Sequence, residues 1–406
     1  MLYHTSHPSG RHFLQIPGPT NVPDRVLRAM DFPTIDHRGP EFKVLAKKVL
    51  ADLQKIFQTR SHVIIYPSSG TGAWEASLVN TLSPGDHVLM YETGHFATLW
   101  KKMADRLALK TEFIESDWRQ GVDAAKIEAR LTEDSAHEIK AVCVLHNETS
   151  TGVTSDIPAV RRAIDNARHP ALLLVDTISS LASLDYRHDE WGVDVTVCCS
   201  QKGLMLPPGM GFNAVSEKAI AASQQAKLTR SFWSWNEILD ANKNGFWPYT
   251  PPTNMIYGLS EACDMLLEEG LENVFKRHQR LAEATRRAVT AWGMELVCKN
   301  PAEYSHSLTA IVMPKDETGE HYKADELRKI ILRNFNLSLG TGLSKVAGWT
   351  FRIGHLGDFN DLACAGTLAG VEMGFEVAGV PYVKGGVQAA ISYLADTAPH
   401  KLAGKV

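Results

Sequence analysis

The sequence predicts an α/β protein: a large domain on a mainly parallel mixed sheet flanked by helices, plus a smaller C-terminal α+β domain. Three observations carry that reading. Short apolar runs alternate with helix-period segments from about residue 60 to 215. The break Trp247-Pro248-Tyr249-Thr250-Pro251-Pro252 is followed by a long stretch rich in Glu, Arg and Ala. What remains mixes strand and helix patterns on a smaller scale, and 406 residues with 44% hydrophobic composition can fill two cores.

In chain order, residues 1–20 read as an N-terminal arm. Strands are predicted over 63–66, 87–90, 141–145, 171–175 and 193–199, with helices between them. The large domain is drawn over 21–278, and one long helical stretch over 255–292 links it to the next unit. The small domain, 279–396, is read as strand 307–312, helix 324–334, strand 350–353 and helix 361–377, followed by a tail over 397–406.

Composition narrows the function. Lys and Arg total 42 against 46 Asp and Glu, a formal charge of −4, so there is no basic field for nucleic acid or an anionic membrane. Small-molecule partners are expected. The six cysteines show no CxxC spacing and read as buried free thiols, with no metal site. The opening residues lack the apolar core of a secretory signal, no stretch is apolar enough to span a bilayer, and Gly404-Lys405-Val406 is not a peroxisomal address. A cytoplasmic location is the resulting expectation.

The chemistry-bearing residues lie where the predicted strands end. Ser200-Gln201-Lys202-Gly203 follows the run 193–199 and precedes Leu206-Pro207-Pro208-Gly209, so a strand delivers Lys202 to a crowded turn. An amine partly desolvated there is suited to a Schiff base with a carbonyl cofactor; the competing reading is a solvated surface lysine. Pro67-Ser68-Ser69-Gly70-Thr71-Gly72 joins strand to helix and offers Ser69, Gly70 and Thr71 as a phosphate cup, against an ordinary capped helix start. It is neither a GxxxxGK loop nor a GxGxxG fingerprint.

Asp176 ends the most apolar strand, where an unpaired carboxylate costs several kcal/mol. A protonated pyridine nitrogen would satisfy it, as would an arginine or backbone N–H groups. Phe96 in Gly94-His95-Phe96 could stack on a cofactor ring or simply fill core, and Thr149 in His146-Asn147-Glu148-Thr149 offers a hydroxyl donor. Arg352, inside the apolar Phe351-Arg352-Ile353-Gly354, suits a carboxylate gripped by two bonds, or a structural ion pair.

Together these motifs, with Pro17-Gly18-Pro19-Thr20-Asn21-Val22-Pro23, Asp36-His37-Arg38 and Tyr249-Thr250-Pro251-Pro252, resemble the class V aminotransferases, pyridoxal-phosphate enzymes of fold type I. The serine–, aspartate– and alanine–glyoxylate enzymes are the most similar members. The resemblance implies pyridoxal 5'-phosphate linked to Lys202, a pyridine nitrogen on Asp176, Phe96 against the ring, Thr149 facing the phenolic oxygen and Gln201 near the phosphate. It implies that Thr250, with Trp247 or Tyr249, reaches the phosphate of a neighbouring subunit, hence a homodimer, or a tetramer of such dimers, with shared sites.

Arg352 is implied as the substrate carboxylate anchor, and Asn21 joins it as a substrate contact. Arg38 is either a second cation for an aspartate donor or a structural ion-pair partner. The reaction implied is transfer from serine to glyoxylate, with aspartate or alanine as alternative donors and β-elimination or desulfuration as a remoter one. The segment Asp176-Thr177-Ile178-Ser179-Ser180-Leu181-Ala182 departs from the family's usual Asp-Gly-Val-Ser-Ser-Ile-Gly, which bears on donor preference.

Overall fold

The computed structural model describes residues 10–399. The chain begins β1 (Phe13–Gln15), α1 (Asp24–Met30), α2 (Pro40–Phe57), β2 (His62–Pro67), α3 (Gly70–Thr81), β3 (His87–Tyr91), α4 (His95–Arg106) and β4 (Lys110–Ile114). It continues α5 (Ala124–Glu133), β5 (Ile139–Leu145), β6 (Asn147–Glu148), β7 (Val153–Thr154), α6 (Ile157–Asn166), β8 (Leu172–Asp176), β9 (Val195–Cys199) and β10 (Met210–Val215). Then come α7 (Glu217–Ser223), α8 (Trp235–Asn242), α9 (Thr253–Glu269), α10 (Leu271–Ala291), β11 (Glu295–Leu296) and β12 (Leu308–Val312). The last elements are α11 (Ala324–Phe335), β13 (Leu337–Thr341), β14 (Thr350–Gly354), α12 (Asp361–Ala378) and α13 (Gly386–Asp396).

A seven-stranded sheet has the order β2-β10-β9-β8-β5-β3-β4, in which β10 alone runs against its neighbours. Every residue of β8 and β9 is buried, as expected of parallel strands covered by helices on both faces. The five strands read from the sequence are all present in this sheet. Two more join it. β4 is a half-polar edge strand, Lys-Thr-Glu-Phe-Ile, and β10 carries Gly211 and Asn213, residues with poor strand propensity. Asn213 is satisfied by Tyr66 Oη and the carbonyls of Ala73 and Thr196, a context only the folded chain supplies.

The second sheet has the order β1-β13-β14-β12-β11. The segment read as a free arm thus contributes β1, parallel to β13, and β13 itself was missed by the apolar-run criterion. The helix expected over 255–292 divides at Gly270, whose φ of +80° only glycine adopts at little cost. Beyond it α10 buries Val274, His278, Leu281, Ala284, Thr285 and Ala288, a stripe at helical spacing. One hydrophobic core ends at Val274 and a second begins at Leu281, so α10 serves both. All six cysteines are buried and free, and among the described residues no helix is long and apolar enough to cross a membrane. Residues 1–9 of the arm and 400–406 of the tail lie outside the described residues.

Candidate active site

Strands β2, β3, β5, β8 and β9 point the same way, so their carboxyl ends meet along one edge of the sheet, the usual place for ligands in such folds. That edge gathers Ser69 to Thr71 after β2, Phe96 after β3, Thr149 after β5, Asp176 at the end of β8 and Lys202 after β9.

Lys202 is buried, 8% exposed, and its Nζ donates to the Pro17 carbonyl oxygen. Loss of water lowers the amine from its ordinary range to about 8. The peptide after β1 makes this possible. Gly18, at φ +96°, carries no side chain where a Cβ would lie 2.5 Å from Nζ and overlap the lysine's methylenes. Thr20 fixes the following turn, donating from its amide to Gln201 O (3.1 Å) and from Oγ1 to Lys202 O (3.2 Å).

Asp176 is 2% exposed, and burial pushes its carboxyl up to about 7. Oδ1 accepts from the Ile178 amide at 2.6 Å and Oδ2 from Trp74 Nε1 at 2.8 Å. Arg352 is 7% exposed and desolvated to about 10. It donates from Nε to Thr341 O at 2.8 Å and from Nη1 to Thr149 O at 2.6 Å. The structural ion pair weighed for it does not form. Among the described residues none of Lys202, Asp176 and Arg352 forms a contact ion pair, while at longer range Lys202 and Asp176 favour each other's charged forms and Glu148 favours that of Arg352.

Ser69 is the N-cap of α3, yet its hydroxyl makes no capping bond, so both it and the first amides of the helix are left for an anion. Glycines shape the cup: a Cβ on Gly70 would overlap Ile178, and one on Gly211 would sit 2.5 Å from Ser69 O. Thr71 is exposed on the first turn, and the Gln201 amide oxygen is buried without a partner among the described residues.

Thr149 Oγ1 donates to Ser179 Oγ at 2.7 Å, and Asn147 Nδ2 joins the same hydroxyl at 2.8 Å. Phe96 is half-buried at the start of α4. Its helix is held by Glu148, a fully buried carboxylate that accepts from the amides of Phe96 (3.4 Å) and Ala97 (3.2 Å) and from Ser150 Oγ (2.6 Å). Burial raises the Glu148 carboxyl, while these donors oppose the shift.

Three of the expected residues make their contacts outside the lysine crevice. Asn21 donates to Leu14 O at 3.2 Å and lines an outer groove with Arg11, Asp24 and Asp358 rather than the lysine crevice; its neighbour Thr20 is the residue that reaches the site. Trp247 is buried and donates to Ile65 O at 3.1 Å, so its indole N–H is committed within its own chain. Arg38 is exposed, and no ion pair of its side chain forms among the described residues; only its amide is held, by Asp36 Oδ1 at 2.9 Å.

Tyr249 and Thr250 follow in the same segment. Tyr249 stacks on Phe232 (4.5 Å, 17°) with its hydroxyl unpartnered, and Thr250 is exposed. Pro17, Gly18, Trp74, Glu148 and Ser179 are site residues that the sequence reading does not assign. All but Trp74 stand within its motifs, and for Trp74 no local signal exists.

The class-V aminotransferase family profile matches residues 12–340. A serine–glyoxylate aminotransferase of Methylorubrum extorquens is 49% identical over 95% of this chain and 96% of its own length. An L-aspartate–glyoxylate aminotransferase of Paracoccus denitrificans is 45% identical over 94% of this chain and 96% of its own. Among solved structures, pyridoxamine–pyruvate aminotransferase of Mesorhizobium loti superposes with a TM-score of 0.87 at 26% identity, covering 97% of this chain and 100% of that one. Strand ends carrying a buried lysine and an acid, an arginine buried within β14, and a family match along most of the sequence lead to one conclusion: the chain belongs to the class-V aminotransferases.

Proposed function

We propose that this protein transfers the amino group of serine to glyoxylate, giving hydroxypyruvate and glycine, with pyridoxal 5'-phosphate held on Lys202. The observation that carries the reading is the buried trio of Lys202, Asp176 and Arg352, none of which forms a contact ion pair among the described residues. Burial disfavours each charged form, and a ligand that brings counter-charges offsets that cost. Pyridoxal phosphate and an amino acid supply all three: an aldehyde for the amine, a pyridine nitrogen for the acid and a carboxylate for the guanidinium. The open N-terminus of α3 takes the phosphate.

The residues then have the following tasks. Ser69, Gly70 and Thr71, with Gln201, would hold the phosphate, Phe96 and Thr149 would hold the ring, and Asp176 would pair with its nitrogen. When bound, the cofactor supplies an aldehyde that condenses with amines and a ring that accepts the electron pair left as Cα–H breaks. Arg352 would grip and orient the substrate carboxylate. Lys202, an amine lowered to about 8 and so partly neutral at physiological pH, would take the Cα proton. Tyr249 and Thr250 reach the phosphate site of a second copy, making the working unit a homodimer with shared sites, in the cytoplasm.

Serine is preferred as donor because of the high identity to serine–glyoxylate enzymes over nearly the whole chain. A second reading, aspartate as donor, is favoured by the free guanidinium of Arg38, an uncommitted cation for a second carboxylate, and by the Paracoccus relative. Incubation of the loaded enzyme with glyoxylate and each donor decides between them. Glycine with hydroxypyruvate supports the first reading; a faster reaction with aspartate replaces it by the second. Pyruvate and ammonia from serine alone would refute transamination.

A further inference from the structure

We propose that Trp74 is a positioning residue for Asp176, its indole N–H fixing the carboxylate in the orientation that meets the cofactor's ring nitrogen. The inference rests on the reading above, in which Asp176 faces that nitrogen. Trp74 Nε1 lies 2.8 Å from Oδ2, and the Ile178 amide holds Oδ1 at 2.6 Å, so each carboxylate oxygen has one fixed donor. An indole is a donor only. It stabilises the anion without offering a proton acceptor, so it cannot compete with the ring nitrogen for a proton.

The indole is itself held by stacking as well as by its hydrogen bond. Trp74 is 2% exposed and stacks on Trp100 with centroids 5.8 Å apart and planes 12° from parallel. It stands on the second turn of α3, whose first turn is the phosphate cup, and Trp100 stands on the second turn of α4, whose first turn carries Phe96. Gly70 adds a third tie, since its missing Cβ makes room for Ile178, the residue whose amide is the other donor. Cup, stacking residue and acid are thereby set in one frame by two adjacent helices, with Trp74 as the link to the acid.

The rival role for Trp74 is core packing alone. Dissociation constants for pyridoxal phosphate and for its 1-deaza analogue, which has carbon in place of the ring nitrogen, separate the two. Wild type binds the nitrogen-bearing ring more tightly. Trp74→Phe, which keeps the stack and deletes the donor, reduces that preference about tenfold, the value of one hydrogen bond to a charged group. Trp74→His, which keeps a ring N–H, restores part of it, and Trp100→Phe leaves the ratio within about twofold of wild type.

Equal losses for both ligands in Trp74→Phe, or the same loss of preference in Trp100→Phe, would reduce Trp74 to packing and overturn the proposal. If Asp176→Asn shows no loss of preference, the assignment of Asp176 to the ring nitrogen fails instead. Should Trp74→Phe not fold, the indole N–H proton resonance of Trp74 in Asp176→Asn serves. Its displacement from the wild-type position supports the hydrogen bond, and an unmoved signal refutes it.

Discussion

Arg352 Nη1 donates to the carbonyl oxygen of Thr149 over 2.6 Å, so the guanidinium of β14 in one sheet is braced against the loop that follows β5 in the other. Its Nε is taken by Thr341 O as well, which leaves the outer edge of the fork for substrate.

Removing that fork weakens both half-reactions. Arg352→Ala raises KM for serine and for glyoxylate by roughly 10- to 100-fold, the worth of a charge-assisted pair. Arg352→Lys restores little, because a point charge does not reproduce the planar grip. Steady-state kinetics with each substrate varied in turn checks this, and unchanged KM values for both would remove the anchor role.

Lys202→Ala abolishes transamination and the visible absorbance that wild type gains with pyridoxal phosphate. The fold survives, since the variant removes a buried amine whose charged form has no ion-pair partner. Absorbance after dialysis provides the measurement; a retained visible band would place the covalent link elsewhere.

Gly18→Ala damages the site from a distance in sequence. At φ +96° any side chain is strained by about 1–3 kcal/mol, and this one would displace Lys202. Activity falls more than about tenfold while melting drops by only a few degrees. Activity close to wild type would mean that the lysine occupies a different rotamer in solution.

The acid gives a pH-dependent signature in the cofactor-free protein. Asp176 titrates at about 7 when folded, above its ordinary 3.8, so the folded state binds the extra proton between those values. Its contribution to stability is therefore present at low pH and lost as pH rises through 7. Asp176→Asn carries no charge there, so its melting temperature exceeds that of wild type at pH 8 and the gap narrows at pH 5. With cofactor and substrates the same variant loses proton abstraction and most of its activity. Melting curves at the two pH values test the first statement; an equal gap at both would contradict it.

How far the sequence revealed the site depended on locality. Lys202, Asp176 and Ser69 to Thr71 were legible because each terminates an apolar run, and in a parallel sheet run ends converge. The partners of those residues were not. Trp74 lies 102 positions from Asp176 and Pro17 lies 185 from Lys202, separations at which no periodicity relates one residue to another. The bond from the Trp247 indole to Ile65 O was not legible for a related reason: motif proximity to Thr250 carries no information about which way a side chain turns. In the fold, β10 escaped notice because Gly211 and Asn213 are there for the cup and a buried polar network, at the expense of strand propensity.

Helix α10 imposes a practical rule on dissecting the molecule. Between Val274 and Leu281 it passes from one core to the other, and His278 pins the crossing, donating from Nδ1 to Val274 O and accepting the Gly357 amide at Nε2. A cut at that residue would sever a helix mid-turn and strip apolar stripe from both halves. A separately expressed C-terminal fragment must begin no later than Leu271, at the glycine break. Even then it would lack β1, the edge strand that its sheet borrows from the other end of the chain.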